Sequence, residues 1–177
     1  GSRLYRRNHI AMTFSMKRKK LDKAAKLSAV KMRMDDENES FHALCCRMNG
    51  SIGVERSGKK TNADKELDFF SLFPRTLMRR VASAVTWLDD NNILPGFFME
   101  QDGFYTSMFI ANLGSLGMRP AFHHLYEYGN CPLFLMVGRI EERPMVRDGV
   151  VVAENIMHIR WSYDERIDDG LSSNYGM

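Results

Sequence analysis

The sequence predicts an α/β (α+β) domain in which a mixed β-sheet is flanked by helices, and three observations predict it. Residues 9–17 and 30–34 alternate side-chain character with the two-residue period of strands. Segments 39–56 and 75–88 repeat apolar residues every three or four positions, the period of helices. Segments 108–111, 133–137 and 150–163 are apolar runs punctuated by Gly, Pro and Asn, as buried strands are. Strands, then helices, then strands again is the order of a mixed sheet rather than of a bundle or a sandwich.

In the first strand Ile10, Met12, Phe14 and Met16 point one way and Ala11, Thr13 and Ser15 the other, and Val30, Met32 and Met34 repeat the pattern with Lys31 and Arg33 outside. A Lys-rich loop, residues 17–26, joins the two, its like charges keeping it solvated. Acids and capping residues at 35–40 then precede Phe41, Leu44, Cys45, Met48 and Ile52 at helical spacing. Segment 67–101 reads as a helical subdomain: Pro74 suits a first turn, and Leu77, Val81, Val85 and Leu88 form a core-facing stripe. Asp148-Gly149, between apolar runs, signals a two-residue hairpin.

With 177 residues, 44% of them hydrophobic and 27% charged, the chain has the composition of one folded domain, not of a disordered segment. The net charge of +3 conceals a polarity: residues 3–33 hold eleven Lys or Arg against one acid, Asp22, and the remainder is acidic. That basic segment could neutralise phosphates, but Tyr5 and Phe14 are not interleaved with the lysines as stacking platforms for nucleic acid would be. No apolar stretch approaches the roughly 18 residues of a membrane span. Three cysteines, two of them adjacent, fit a reducing cytoplasm better than a secreted disulfide framework.

Several motifs weigh little. Residues 53–60 nearly spell a P-loop, but Lys60 stands where a hydroxyl must reach magnesium, and the segment follows a helix rather than a strand. No Cys or His pair shows zinc-ligand spacing, so a metal site is not expected. His123 and His124, the densest titratable group, sit near a sheet edge and as neighbours would face opposite sides of a strand. They read as a structural pair or as a borrowed base.

Three segments carry a resemblance. Phe109-Ile110-Ala111-Asn112-Leu113-Gly114-Ser115-Leu116-Gly117, then Val137-Gly138-Arg139-Ile140-Glu141-Glu142-Arg143-Pro144 with Asp148-Gly149, then Tyr163-Asp164-Glu165-Arg166-Ile167-Asp168-Asp169-Gly170 are similar in order and spacing to motifs of the dihydrolipoamide acyltransferases. These are the catalytic domains of 2-oxoacid dehydrogenase complexes and relatives of chloramphenicol acetyltransferase. His9-Ile10-Ala11-Met12 resembles a weaker upstream motif. The resemblance covers about 160 residues. It implies the coenzyme A-dependent acyltransferase fold, acyl transfer to a dihydrolipoyl thiol, a homotrimer with its channel between subunits, and partners such as a lipoyl-bearing domain.

Carried over position by position, the resemblance puts the family's general-base histidine on Glu165 and its oxyanion-binding serine on Ala111. Asn112 and Asp169 complete those two motifs, and His123 or His124 is an alternative base. Ser115 is a position offered to coenzyme A, and the Lys-rich loop with Lys19 and Lys20, which stands where the family has a short turn, could attract the coenzyme's phosphates or be merely solvated. A carboxylate, with an ordinary pKa near 4.3, is a poor acceptor for a thiol proton near 8.5. An alanine donates nothing to an oxyanion, and removing such a donor costs roughly 3 to 4 kcal/mol in the barrier. The expectation is therefore a non-catalytic or altered-chemistry relative, or an active transferase using Glu165, His123 or His124 as its base. The resemblance also implies that the family's first strand and helices before Arg3, and its closing helix after Gly170, are missing, and that 67–101 is an insert.

Overall fold

A computed structural model describes residues 4, 6–17, 27–34, 38–57 and 73–176. The described elements run β1 (Ala11–Lys17), β2 (Leu27–Arg33), α1 (Phe41–Arg56), α2 (Arg75–Asp90), α3 (Gly96–Gln101), β3 (Met108–Asn112), a 3-10 turn (Gly114–Leu116), β4 (Leu133–Arg147), β5 (Val150–Tyr163) and α4 (Gly170–Gly176). The five strands form one mixed sheet in the order β2-β1-β3-β4-β5. Its outer pairs, β1 with β2 and β4 with β5, are antiparallel, while β1, β3 and β4 run parallel. Parallel neighbours need a crossover, and the helical segment between β2 and β3 supplies it.

Register assigns the two faces. Thr13, Phe109 and Phe134 lie side by side on one face, with Ala111 and Met136 one step further along. This face holds the core cluster of Phe109, Cys131, Phe134 and Met136, against which Phe104, Ala111, Leu113 and Leu125 pack. Val30, Met32 and Leu135 are buried on the opposite face, where Met12 and Phe14 are only half-covered.

That distribution corrects the reading of β1. Its apolar row is not its best-buried side: Ala11 and Thr13 are buried, while Ile10, just ahead of the strand, is exposed. The cause is close backbone approach. Thr106 Oγ1 donates to the Ala11 carbonyl at 2.8 Å, the Ser107 N–H donates to the same oxygen at 2.9 Å, and a Cβ on Gly103 would stand 3.1 Å from Thr13 Cγ2. Only small side chains fit beneath that segment.

The helix at 41–56 forms as the capping residues require: Ser40 is the N-cap and its hydroxyl accepts from the Ala43 N–H at 3.2 Å. Gly53 to Arg56 lie in its last turns, and residues 58–60 of the near P-loop lie outside the described residues, as do Lys19 and Lys20. Pro74 is the N-cap of α2, one position ahead of its expected place. The stripe on α2 is not core-facing among the described residues: Leu77 and Val81 are more than 40% exposed, and no residue of the helix is buried. Lys31 ties the end of α3 to the sheet, donating to the carbonyls of Met99 at 2.6 Å and Asp102 at 3.1 Å. Burial pushes the Lys31 pKa down, against the pull of Asp102.

Asp148 and Gly149, both at positive φ, make the expected hairpin turn between β4 and β5. The segment beyond Gly170, expected to stop short of a closing helix, is helical through Gly176. Among the described residues no helix is long and apolar enough to cross a membrane.

Candidate functional site

The first motif forms the end of β3 and the turn beyond it. Ala111 pairs in register with Ser15 on one side and Met136 on the other, its methyl packed against the core cluster. Asn112 Oδ1 accepts from the Ser115 N–H at 3.0 Å, and Ser115 Oγ donates to the Asn112 carbonyl at 2.8 Å. The two polar side chains of this motif thus hold the 3-10 turn rather than an open site.

The second motif explains its own glycines. A Cβ on Gly114 would meet the Gly138 carbonyl oxygen at 2.4 Å, and a Cβ on Gly138 would meet Pro120 Cδ at 2.3 Å. The turn can cross β4 only because both residues lack a side chain. Two hydrogen bonds lock the crossing, Leu113 N–H to the Val137 carbonyl at 2.9 Å and Arg139 N–H to the Met118 carbonyl at 2.8 Å.

The third motif lies beyond β5. Arg166 clasps Asp164 through Nε at 2.8 Å and Nη2 at 2.6 Å, and this pairing holds the Asp164 carboxyl below its ordinary pKa. Asp169 caps α4 through Oδ1, which accepts the Ser172 N–H at 2.8 Å, and that bond lowers its pKa. Glu165 between them is exposed. Within one chain the structure does not bring Glu165 to Ala111. Tyr163 is level with Leu133 while Ala111 is level with Met136, three positions or about 10 Å further along the strand, and Glu165 lies beyond Tyr163.

His123 and His124 are not on a strand, and they do not face opposite ways. Their rings stack with centroids 5.0 Å apart, because residues 121–126 run without ladder hydrogen bonds across the core aromatics. His123 also stacks on Phe134 at 4.0 Å and 5°, and its backbone carbonyl accepts from Ser162 Oγ. Its Nδ1 contacts the His124 carbonyl, which fixes Nδ1 as the protonated nitrogen of the neutral ring and leaves Nε2 as the acceptor. Phe134 and Ala111 share a face, so His123 lies on Ala111's side of the sheet, with the His124 ring stacked against it.

Two groups were not anticipated. Arg119, Arg139 and Arg143 all hydrogen-bond to Glu141, a set foreshadowed by the alternation of residues 139, 141 and 143 along one strand face. Together, Arg143 first and then Arg119 and Arg139, they hold the Glu141 carboxyl down at about 2. On α1, His42 Nε2 lies 3.5 Å from Cys46 Sγ, an i, i+4 pair that the reading of ligand spacings passed over.

The family model described as 2-oxoacid dehydrogenases acyltransferase (catalytic domain) matches residues 99–174. No curated protein sequence matches the chain. Among solved structures, a probable dihydrolipoamide acetyltransferase from Listeria monocytogenes aligns over 99% of this chain and 55% of its own, with TM-score 0.61 and 16% identity. The dihydrolipoamide acetyltransferase of Azotobacter vinelandii, from work on a serine, a histidine and an asparagine in its catalytic mechanism, aligns over 96% of this chain and 51% of its own, with TM-score 0.55 and 16% identity. The cubic core of a pyruvate dehydrogenase multienzyme complex aligns over the same shares, with TM-score 0.51 and 15% identity. The chain thus spans about half the length of the structures it matches. It has the fold of the dihydrolipoamide acetyltransferases, and its residues 99–174 are similar to the 2-oxoacid dehydrogenase acyltransferase catalytic domain.

Proposed function

We propose that the chain is an acyltransferase-fold subunit, homotrimeric and partnered with dehydrogenase-complex components, whose ordinary acyl-transfer chemistry is lost or altered. The observation that carries this reading is the pair of substitutions at matching positions. Ala111 offers no hydroxyl at the end of β3, and Glu165 stands exposed where the motif would place an imidazole. Asp169, four residues on, is occupied in capping α4. Of the residues offered to coenzyme A, Ser115 is bound to Asn112, and Lys19 and Lys20 lie outside the described residues. Incubating the purified protein with acetyl-coenzyme A and dihydrolipoamide tests the reading. Only background transfer is expected; normal turnover that vanishes in Glu165→Ala overturns it.

A second reading, an active transferase with His123 as base, is favoured by one observation. That imidazole lies on Ala111's side of the sheet with Nε2 as its acceptor nitrogen. It requires a rate that rises with imidazole deprotonation and is lost in His123→Gln. A pH–rate profile unchanged by that substitution removes His123 from the chemistry.

A further inference from the structure

The outer half of the β4–β5 hairpin carries an unusual charge arrangement. Arg139, Glu141 and Arg143 project from one face of β4, just past the irregularity between Val137 and Ile140. Arg119 reaches the same carboxylate from the loop after the 3-10 turn. Glu141 Oε2 accepts from Arg119 at 3.1 and 3.2 Å and from Arg139 at 3.2 and 3.3 Å, and its Oε1 accepts from Arg143 Nε at 3.0 Å. The Glu141 side chain is 12% exposed, whereas those of Arg119, Arg139 and Arg143 are 62%, 46% and 39% exposed.

One carboxylate cannot balance three guanidiniums. The cluster keeps two positive charges, held close together, in a part of the sequence that is otherwise acidic. An exposed ion pair is worth little by itself, so three arginines converging on one acid mostly repel one another. Further along the same hairpin, Arg147 is instead matched one to one by Glu154, at 2.9 and 3.0 Å. Glu141 therefore acts as a fixed counter-ion that gathers the guanidiniums, and the uncompensated charge faces solvent. Among the described residues, Nη1 of Arg119 and Nη1 of Arg143 make no hydrogen bond, which leaves guanidinium edges for a second anion.

We propose that Arg119, Arg139 and Arg143 form a binding site for the phosphate group of a small soluble molecule. A dianion matches the two uncompensated charges, and planar guanidinium forks match phosphate oxygens. The inference does not depend on acyl transfer: the cluster is built from the hairpin and the 117–119 loop, and it stands whether or not Ala111 and Glu165 take part in chemistry.

Calorimetric titration of the full chain with inorganic phosphate and with pyrophosphate, at constant ionic strength, tests it. Saturable binding is expected, tighter for pyrophosphate. It should weaken about tenfold or more in Arg119→Gln, which removes one charge-assisted partner, and stay unchanged in Arg147→Gln. Circular dichroism checks that each variant is folded. Absence of saturable binding to the folded wild-type chain overturns the proposal. So does equal affinity in wild type and folded Arg119→Gln, or binding of duplex DNA without binding of either small anion.

Discussion

The imidazole of His123 lies flat on the ring of Phe134, 4.0 Å between centroids and 5° from parallel. Phe134 is among the most deeply buried large side chains described, so the stack fixes His123 over the core. Tyr126 and Phe109 extend the aromatic array, Tyr126 lying 5.3 Å from the His123 ring and Phe109 5.1 Å from Phe134.

Replacing His123 therefore tests packing and chemistry separately. His123→Ala removes the stack and uncovers Phe134, and it should destabilise the fold by about 1–3 kcal/mol in denaturant titration. His123→Phe keeps a ring in place and should recover most of that loss. If the alanine variant unfolds at the wild-type midpoint, the stack contributes nothing to stability.

Gly138 is the second structural prediction. Its missing side chain lets Pro120 and the His158 carbonyl close on β4, at 2.3 and 3.1 Å from where a Cβ would stand. Gly138→Ala must push the 114–120 turn away and break the Arg139-to-Met118 hydrogen bond. The expected cost is about 1–3 kcal/mol or more, with faster amide exchange at Arg139. Unchanged protection at that amide contradicts the close crossing.

Much of this was legible in the sequence, and the misses have physical causes. Period-two alternation located β1 and β2, and Asp148-Gly149 located a turn whose two positive φ angles only such residues adopt readily. Alternation could not say which side of β1 packs tighter, because that depends on Gly103 and Thr106, about ninety residues away in sequence. The stripe on α2 has the right period yet no described partner, since periodicity reports amphipathicity and not what covers it. The histidine pair was misread because neighbouring residues diverge only on a strand, and here Ser162 and the core aromatics hold the segment in another path. Ala111 and Glu165 were assigned by motif position alone, and their separation along the strands is a matter of register, which no motif encodes.

Acid should loosen the hairpin through Glu141. Its folded pKa of about 2, held down first by Arg143, lies below the ordinary value near 4.5. The unfolded chain therefore binds a proton first as pH falls. The contribution of Glu141 to stability is complete above about pH 4.5 and is lost progressively as pH falls toward 2. Glu141→Gln should flatten that part of the stability-versus-pH curve and leave the neutral region's slope unchanged. An acid limb identical in wild type and Glu141→Gln removes Glu141 from it.

The separation of Ala111 from Glu165 makes the last prediction. Their places differ by at least three register positions, about 10 Å along the strands, so a site using both must draw them from two copies of the chain. Ala111→Ser restores a hydroxyl, and Glu165→His restores an imidazole. Neither variant alone should transfer acetyl groups from acetyl-coenzyme A to dihydrolipoamide above background, because each assembly then lacks one group everywhere. Unfolded together and refolded as a mixture, the two variants should form assemblies in which a serine from one copy meets a histidine from another. Transfer should appear in the mixture and in the double variant, and it should fade on dilution as the assembly dissociates. If the double variant is active but the mixture is not, the two groups act within one chain, and the arrangement between copies is wrong.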